Sequence, residues 1–430
     1  MLTAEENEKL TRIGPRTPCG NFLRRYWQPI LGASELTEDH PKLRIRVMGE
    51  DLVLFKSADG SYGLVREQCS HRGCSLFYGF LEDANIRCPY HGWMYDQAGK
   101  IVETPFEPEQ SLLKHTLRHP AYPVQKYGGF LWTYMGPEPA PLLPHWDILE
   151  WDHGVRRIEI RRELACNWLQ AQENTADITH TYFLHAYNMA VRGRAREAGG
   201  FGRPFHAYGF QWFPWGMVKN WSYGGEKSGS WWGNLLVFPN MLRLENSMHW
   251  RLPIDDTHTK IIRVEFVPNP DGSRSEISDP RTEEPEVVYE PTWINEAGEY
   301  HQDTFSSQDG MAWETQGPIF DRTREHLGQG DTGVAMLRQV LSDQIDAVAR
   351  GDDPICLIRD PDQNHGVDLA SWLREAPPDR GGVGGIGQVA PADVRRRTFE
   401  ETFDESYREF EIAPGAARAG VFEHLANLKR

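Results

Sequence analysis

The 430-residue chain contains no long hydrophobic run. Nowhere do 18 apolar residues follow one another, and the N-terminal MLTAEENEKL has no apolar core, so we expect neither a transmembrane helix nor a signal peptide. Basic residues are also scarce, with 46 Lys and Arg against 62 Asp and Glu and a net charge of −16. This balance disfavours a general nucleic-acid binder and a protein that docks on anionic membranes. We therefore expect a cytoplasmic protein.

Cysteine is scarce as well, with six residues in the whole chain, too few for a disulfide scaffold. In a reducing compartment, cysteines that lie near histidines are more often metal ligands than bridges. A nucleotide-binding glycine motif is also missing, because the Gly-rich GGVGGIGQ (381–388) does not follow a predicted strand and is typical of a linker. We find no internal repeat, and the length suggests two or three domains.

Strand patterns dominate the first third of the chain. A short helix is predicted over 3–10, with Thr3 as its N-cap in a capping box. Residues 43–65 alternate apolar and polar side chains around an Asp-Gly turn, which indicates a β-meander. The Pro-rich stretch 136–146 marks a domain boundary. Further strands follow, and apolar spacing predicts a helix over 334–350. The fold class is therefore α+β.

Two short motifs in the strand-rich part carry Cys and His together. CSHRG supplies Cys69 and His71, and CPYHGW supplies Cys88 and His91. Two thiolates and two imidazoles can hold one tetrahedral zinc ion. They can also hold a Rieske [2Fe–2S] cluster, with two Cys on one iron and two His on the other. The spacing favours the cluster, because each loop can give one ligand to each iron.

A second polar constellation lies in ENTADITHTYFLH (173–185). Asp177 and His180 are three residues apart and share one face of an α-helix. His185 is five residues beyond His180, about 140° away on an ideal helix, so it joins them only if the helix bends or ends near Phe183. Taken alone, both histidines could be hydrogen-bonded core residues. Together with a carboxylate, they could instead form the facial triad of a non-haem Fe(II) oxygenase.

The two constellations together resemble the oxygenase α-subunits of Rieske non-haem iron systems. CSHRG and CPYHGW resemble the two cluster loops, and NWLQAQENTADITHTYFLH resembles the mononuclear-iron segment. The likeness runs from GNFLRRYWQP (20–29) to LRQVL (337–341) and is strongest to the subgroup of phthalate 4,5-dioxygenase and the lignin-biaryl (5,5'-dehydrodivanillate) O-demethylase.

The resemblance implies a β-rich Rieske domain beside a helix-grip catalytic domain with an antiparallel sheet. The expected division is an N-terminal helical segment that packs on the catalytic domain (1–42), a Rieske domain (43–136) and a catalytic mononuclear-iron domain (146–430).

The resemblance also implies the roles of the site residues. The cluster ligands are Cys69, His71, Cys88 and His91. His180 and His185 bind the mononuclear iron, and Asp177 bridges His180 to a cluster histidine of the neighbouring subunit. The alternatives for Asp177 are a surface position or a place as third ligand.

The third iron ligand is expected to be Asp331, which opens the long C-terminal helix. That residue could also be only the N-cap of the helix. Three other aspartates are held in reserve as ligands: Asp309, Asp321 and Asp343.

The implied function is the terminal oxygenase component of a system that uses O₂ and electrons from a separate NAD(P)H-dependent flavin and iron–sulfur reductase, possibly with a ferredoxin. A homotrimer arranged head to tail is expected. The favoured reaction is O-demethylation or hydroxylation of an aromatic acid, preferably a methoxylated lignin-derived one; the alternatives are cis-dihydroxylation of a phthalate-like ring and a Rieske electron carrier without oxygenase activity. An aromatic acid calls for a cationic side chain in the pocket, for which Arg192, Arg194, Arg243 and Arg251 are candidates.

Overall fold

The computed structural model describes residues 1–194, 205–223, 231–275, 279–373 and 410–411. The Gly-rich stretch 381–388 lies outside these residues. Within them, helices and several β-sheets surround one large apolar core, a smaller second core and two minor apolar clusters, which confirms the α+β class. None of the described helices has the length and apolar character needed to cross a membrane.

Two short helices open the chain, α1 (Ala4–Thr11) and α2 (Pro18–Leu23). The predicted capping box of α1 is confirmed, since the Thr3 hydroxyl accepts from the Glu6 backbone N–H and the Glu6 carboxylate accepts from the Thr3 N–H. Lys9 donates to Ser342 in the long helix α7 (Thr332–Ala349), which is the helix predicted over 334–350. The N-terminal helices therefore pack on the C-terminal part of the described chain.

Two four-stranded antiparallel sheets carry the cluster loops. The first has the order β2-β3-β4-β9, and the second has the order β5-β6-β7-β8. Their strands are β2 (Lys42–Val47), β3 (Glu50–Lys56), β4 (Tyr62–Arg66), β9 (Ala121–Tyr122), β5 (Phe80–Glu82), β6 (Asn85–Arg87), β7 (Met94–Asp96) and β8 (Ile101–Glu103). The predicted meander is confirmed, and Gly60 takes a positive φ of 84° in its turn.

A three-stranded sheet joins the N-terminus to the end of this region. It has the order β1-β11-β10. Its strands are β1 (Gln28–Gly32), β10 (Val124–Tyr127) and β11 (Phe130–Thr133). Residues 1–42 thus contain a strand as well as helices. The division at 42, 136 and 146 remains a prediction.

The largest sheet has nine strands among the described residues, in the order β19-β12-β18-β17-β16-β15-β14-β13-β20. All its pairings are antiparallel except the one between β12 and β19. Its strands are β12 (Gly154–Ile160), β13 (Phe205–Phe213), β14 (Gly216–Tyr223), β15 (Trp231–Val237), β16 (Met241–Leu244), β17 (Ser247–Asp255), β18 (His258–Pro268), β19 (Val287–Tyr289) and β20 (Phe410–Glu411).

Strand β17 is buried on both faces, and the faces differ. Trp250 stacks edge-on against Trp132 of β11, so one face joins the apolar core. His249 and Arg251 point to the opposite face, because side chains alternate along a strand, and both are buried. A buried polar face of this kind is a place to look for a binding site.

Of the four further helices in the described residues, the first lies beside β8, and the second packs against β16 and β17 of the nine-stranded sheet. The four helices are α3 (Leu113–Thr116), α4 (Trp168–Thr175), α5 (Asn188–Val191) and α6 (Phe305–Glu314). A π-helical segment, Thr181–Tyr187, lies between α4 and α5. Short 3₁₀ turns are found at Ala33–Glu35, Leu76–Tyr78, Asp147–Leu149, Pro280–Thr282, Gln329–Asp331, Pro361–Gln363 and Ala370–Trp372. The stretch that contains Asp177 and the two histidines is therefore not one continuous α-helix but an α-helix, a break at Asp177 and a π-helix.

Candidate active site

The two cluster loops share one backbone design. In the first, the Cys69 N–H donates to the Cys74 carbonyl and the Gly73 N–H donates to the Cys69 carbonyl. In the second, the corresponding bonds run from Cys88 to Trp93 and from Gly92 to Cys88. Gly73 and Gly92 have φ values of 73° and 72°, a conformation that a side chain would strain. Two separate stretches of chain thus fold into matching cradles.

The four predicted cluster ligands converge at the tips of these loops. The rings of His71 and His91 lie with their centroids 4.6 Å apart. Cys69 and Cys88 are buried in the smaller apolar core, whereas both histidines are half-buried. The sulfurs therefore lie inside and the imidazoles lie at the surface.

The donor chemistry fits a metal cluster at this position. Burial raises the pKa of the Cys69 thiol; the Tyr95 hydroxyl and the His71 N–H lower it, and the neighbouring Cys88 raises it again. The Tyr95 hydroxyl oxygen lies 2.9 Å from Cys69 Sγ. His71 Nδ1 is buried and has no hydrogen-bond partner in the described structure. Two neighbouring thiols and a buried ring nitrogen without a hydrogen-bond partner are the arrangement expected of metal ligands.

The second constellation depends on the π-helical segment Thr181–Tyr187. A π-helix bonds residue i to residue i+5, so side chains five apart lie about one turn apart. His180 immediately precedes the segment and His185 lies within it, and their ring centroids are 5.3 Å apart. The wider turn brings together two histidines that an α-helix would separate.

The carboxylate that joins them comes from helix α6. Ligand atoms of His180, His185 and Asp309 all lie within 4.8 Å of one another. His185 Nε2 is 3.4 Å from Asp309 Oδ1. Two imidazoles and one carboxylate are the ligand set of non-haem Fe(II) oxygenases.

Asp331, the expected third ligand, is not part of this group. It occupies the N-cap position of α7, and its Oδ2 accepts from the Gly328 backbone N–H at 2.7 Å. Its side chain makes no cap hydrogen bond to the first turn of α7, although a negative charge at a helix start is favoured by the helix dipole. Among the described residues, the carboxylate grouped with the two histidines is that of the reserve candidate Asp309, and the identity of the third ligand stays a prediction.

Each imidazole of the group is held through its Nδ1 atom. His180 Nδ1 lies 3.0 Å from Asp177 Oδ2, and His185 Nδ1 lies 2.8 Å from Gln308 Oε1. These contacts use Nδ1 of each ring, so Nε2 is the atom with which each ring would contact a metal, as is usual for histidine ligands. Asp177 therefore sits behind His180 rather than among the ligands.

The acidic groups remain ionised despite their burial. Burial raises the pKa of Asp309, but the hydrogen bond and charge of His185 and the charge of His180 outweigh it and lower that pKa. The pKa of Asp177 is also lowered, well below its usual range, because contacts with His180 and Thr179 overcome burial. Ionised carboxylates are the form that binds a metal or accepts from an imidazole.

Buried cations surround the group on the sheet side. Lys219 on β14 donates to the Asp177 carbonyl oxygen at 2.7 Å, and burial lowers its pKa to about 8. The pKa of Arg251 is lowered to about 9, because burial and the charge of Arg161 lower it by more than the charge of Asp309 raises it. Arg251 is 2% exposed, its Nε has no hydrogen-bond partner, and its Nη1 reaches only the His249 carbonyl at 3.5 Å.

A buried guanidinium without a carboxylate partner lowers the stability of the folded state, so such a group is unusual in a folded protein. The other three arginine candidates do have partners. Arg243 lies 3.7 Å from Asp147, Arg194 lies 3.1 Å from Asp303, and Arg192 bonds to the Asn188 side chain. Arg243 is also fully buried, and its Nε and Nη2 have no hydrogen-bond partner, but its charge is balanced by Asp147. Among the described residues, Arg251 is the fully buried candidate without an ion pair.

Two site residues, Lys219 and Gln308, were not identified from the sequence, and Asp309 was held only in reserve. Lys219 sits in an ordinary strand pattern, and no sequence signal marks it as buried. Gln308 and Asp309 follow the helix start at Thr304, and Asp309 lies four residues before the buried Trp313 on the same helix face. An acidic residue on an apolar helix face was the available signal for Asp309.

Comparison with known proteins identifies the region that carries the two cluster loops and the relatives of the whole chain. Residues 26–127 match the Rieske [2Fe-2S] domain. The chain is 38% identical over 383 residues to the 5,5'-dehydrodivanillate O-demethylase oxygenase subunit of Sphingobium sp. (strain NBRC 103272 / SYK-6), covering 87% of this chain and 88% of the relative. It is 32% identical over 401 residues to the phthalate 4,5-dioxygenase oxygenase subunit of Pseudomonas putida, covering 83% and 89%.

A solved structure supports the fold. NdmA of Pseudomonas putida CBB5 superposes with a TM-score of 0.54 at 18% identity, covering 81% of this chain and all of the other. The predicted architecture, a Rieske domain beside a larger antiparallel-sheet catalytic domain, is confirmed. With its matching cradles, its second histidine pair and relatives aligned over most of their length, this chain belongs to the oxygenase subunits of the Rieske non-haem iron oxygenase family and is an oxidoreductase.

Proposed function

We propose that the chain is the terminal oxygenase component of a system that O-demethylates or hydroxylates an aromatic acid. The observation that carries the proposal is the convergence of His180, His185 and Asp309 into one group of ligand atoms. In this proposal they hold Fe(II), while Cys69, His71, Cys88 and His91 hold a [2Fe–2S] cluster. The cluster supplies single electrons and the iron supplies activation of O₂.

The protein's own residues position these groups. Asp177 accepts from the His180 ring and its carbonyl accepts from Lys219, so the turn behind His180 is tied to the sheet. The Asp177 side chain keeps 21% of its surface exposed. It can therefore contact a group from outside the chain as well as the ring in front of it.

That exposure supports the head-to-tail homotrimer. The half-buried His71 and His91 offer ring edges at the surface of one subunit, and Asp177 offers a carboxylate edge on the next. A contact of this kind between unlike surfaces closes into a ring. A separate NAD(P)H-dependent reductase, with or without a ferredoxin, would deliver the electrons. The cytoplasmic location remains a prediction.

The buried cations favour a substrate with a carboxylate. Arg251 and Lys219 both lie within the electrostatic reach of Asp309, and Arg251 has an unused donor. A carboxylate between them would compensate the buried charge and orient the ring toward His180 and His185. O-demethylation is favoured over ring dihydroxylation because identity to the O-demethylase subunit, 38%, exceeds that to the phthalate dioxygenase subunit, 32%.

The experiment uses the iron-loaded protein with a flavin and iron–sulfur reductase and NADH. Methoxylated and plain aromatic acids are offered, and formaldehyde, hydroxylated product and NADH are measured. Formaldehyde formed in step with NADH use is the expected result. Hydroxylated product without formaldehyde would establish the ring-hydroxylating alternative, and a protein that accepts electrons but never consumes O₂ with any substrate would be an electron carrier.

The carboxylate assignment has its own test. Arg251→Met should raise KM for the acid about 10- to 100-fold, since a charge-assisted hydrogen bond contributes about 1.5–3 kcal/mol. It should leave KM for the methyl ester of the same acid unchanged. Arg274→Met, at a side chain 85% exposed, is the matched control. An equal change for acid and ester would show that Arg251 does not bind the carboxylate.

A further inference from the structure

Gln308 is a fully buried amide that contacts one of the two histidines of the group. Its Oε1 lies 2.8 Å from His185 Nδ1, and its Nε2 lies 2.9 Å from the Gln302 backbone carbonyl. The side chain has no solvent exposure. Both ends of the amide therefore have a protein partner, and water is not needed to satisfy them.

The proton positions along this chain of contacts follow by elimination. A backbone carbonyl only accepts, so the amide must present its N–H₂ to Gln302 and its oxygen to His185. The amide oxygen also only accepts, so His185 Nδ1 carries the hydrogen. When the ring is neutral, the lone pair of His185 is then on Nε2, the atom that lies 3.4 Å from Asp309.

Gln302 is itself held in place. The Asn188 Nδ2 donates to the Gln302 Oε1 at 2.7 Å, and the Arg192 Nε donates to the Asn188 Oδ1 at 2.6 Å. Gln308 thus donates to a residue, Gln302, that is itself bonded to Asn188 at the start of helix α5. Asn188 lies about one helical turn after His185. The amide cannot turn over without breaking a bond at each end.

The two histidines are held by different chemistry. Asp177 behind His180 is a carboxylate that also accepts from the Thr179 N–H and hydroxyl. Gln308 behind His185 is neutral and adds no negative charge next to the buried Asp309. A second carboxylate there would place two like charges on adjacent residues in a buried site.

We infer that Gln308 is a positioning residue that fixes the tautomer and ring orientation of His185 and thereby sets how tightly the site binds Fe(II). The inference rests on the iron role of His185 proposed above. Without Gln308, the ring can carry its hydrogen on Nε2 or rotate, and binding must first restore the productive form. Outer hydrogen-bond partners of this kind typically contribute 10- to 100-fold to metal affinity.

The test measures Fe(II) affinity by chelator competition under anaerobic conditions, on full-length protein with its cluster in place and its mononuclear site emptied. Gln308→Leu and Gln308→Met should each raise the dissociation constant about 10- to 100-fold. Gln308→Glu keeps an acceptor for Nδ1, and bound Fe(II) relieves the repulsion between its carboxylate and Asp309, so this variant should bind at least as tightly as the unmodified chain. Gln316→Leu, at an exposed amide just past the same helix that bonds only to the Ala312 carbonyl, should change nothing.

The order of the variants decides the question. If Gln308 only fills space, the apolar replacements will keep the affinity and the buried charge of Gln308→Glu will give the weakest binding. That order would overturn the inference. Thermal melting of the metal-free proteins shows whether each variant folds. Leu and Met differ in shape, so if one apolar variant does not fold, the other can be used for the affinity measurement.

His185→Ala separates this inference from the proposed iron site. If that variant still binds Fe(II) like the unmodified chain, the proposed iron site itself is wrong. If it loses the metal while Gln308→Leu and Gln308→Met do not, the iron site stands and only the role of Gln308 falls.

Discussion

The two candidate metal centres are built over very different lengths of chain. Each cluster loop takes its Cys and His from within four consecutive residues and closes on itself with the same two backbone hydrogen bonds. The iron group instead joins segments that are far apart, since His185 and its partner Gln308 are 123 residues apart in sequence. A local centre depends on turn geometry, whereas a remote one depends on how whole helices pack. Changes that affect one centre should therefore leave the other intact.

The largest expected effect is the loss of the mononuclear iron in Asp309→Asn. An amide is a poorer ligand than a carboxylate and removes the only negative charge of the group, so iron content and O₂ use should fall to background. The visible absorption of the cluster should remain. Asp331→Asn is the matched control, because its carboxylate bonds to the Gly328 N–H.

The contrast between these two aspartates can be measured as metal content per chain. Retention of iron in Asp309→Asn together with its loss in Asp331→Asn would restore the assignment made from sequence. It would also mean that α7 begins closer to the histidines than it does here.

The reciprocal change is Cys88→Ser. Cys88 is buried in the smaller core, and a hydroxyl does not replace a thiolate on an iron–sulfur cluster. The visible absorption should disappear, and reductase electrons should no longer reach the protein. Fe(II) binding at His180 and His185 should persist within a few-fold. If both metals were lost together, the two centres would not be independently built.

This contrast explains what the sequence could reveal. The cluster ligands were identifiable because each loop is closed by local backbone hydrogen bonds, so the spacing within CSHRG and CPYHGW determines where the Cys and His side chains lie. The fold class, the first helix and its cap, the meander and the helix over 334–350 also follow from local patterns.

The iron centre was harder to predict because α-helical spacing places His185 away from His180. The π-helix that unites them has no recognised signal in the residues. Asp331 was expected as a ligand because the resemblance places a carboxylate at the start of the C-terminal helix, and the sequence pattern is the same whether that aspartate caps or binds. Only the packing of α6 distinguishes Asp309.

A smaller effect is expected from the ion network behind the iron centre. Glu173 of α4 accepts two bonds at 2.8 Å from Arg322 and one at 2.6 Å from Arg338, which also bonds Glu325. This network fixes the helix that leads to Asp177. Glu173→Gln leaves buried guanidinium groups short of negative charge and should cost about 3–5 kcal/mol of unfolding free energy.

The loss should appear in the catalytic part and spare the cluster region. Far-ultraviolet circular dichroism during heating reports the first, and the visible absorption of the cluster reports the second. Asp279→Asn removes the exposed pair with Arg281, whose side chain is 53% exposed, and should cost at most about 1 kcal/mol. Equal costs for the two variants would show that the buried network does not stabilise α4.

The smallest effect concerns pH and the cluster region. His119 is buried between the Ser70 hydroxyl and the Arg66 carbonyl, and burial lowers its pKa to about 4 from 6.5. The unfolded chain therefore binds more protons than the folded one between these values. The stability that comes from neutral His119 is present above pH 6.5 and is lost as the pH falls toward 4.

Between pH 7 and pH 5 this group should cost the cluster region about 2 kcal/mol, from 1.36 kcal/mol per pKa unit. His119→Gln can still accept from Ser70 and donate to Arg66 without titrating, so its urea midpoint, followed by cluster absorption, should change less over the same range. His115→Gln, at an exposed histidine of α3, should behave like the unmodified chain. If His119→Gln and the unmodified chain lose the same stability, acid acts elsewhere. A flatter profile in His119→Gln alone would show that even the locally closed centre depends on one distant side chain, because His119 lies 49 residues from Ser70.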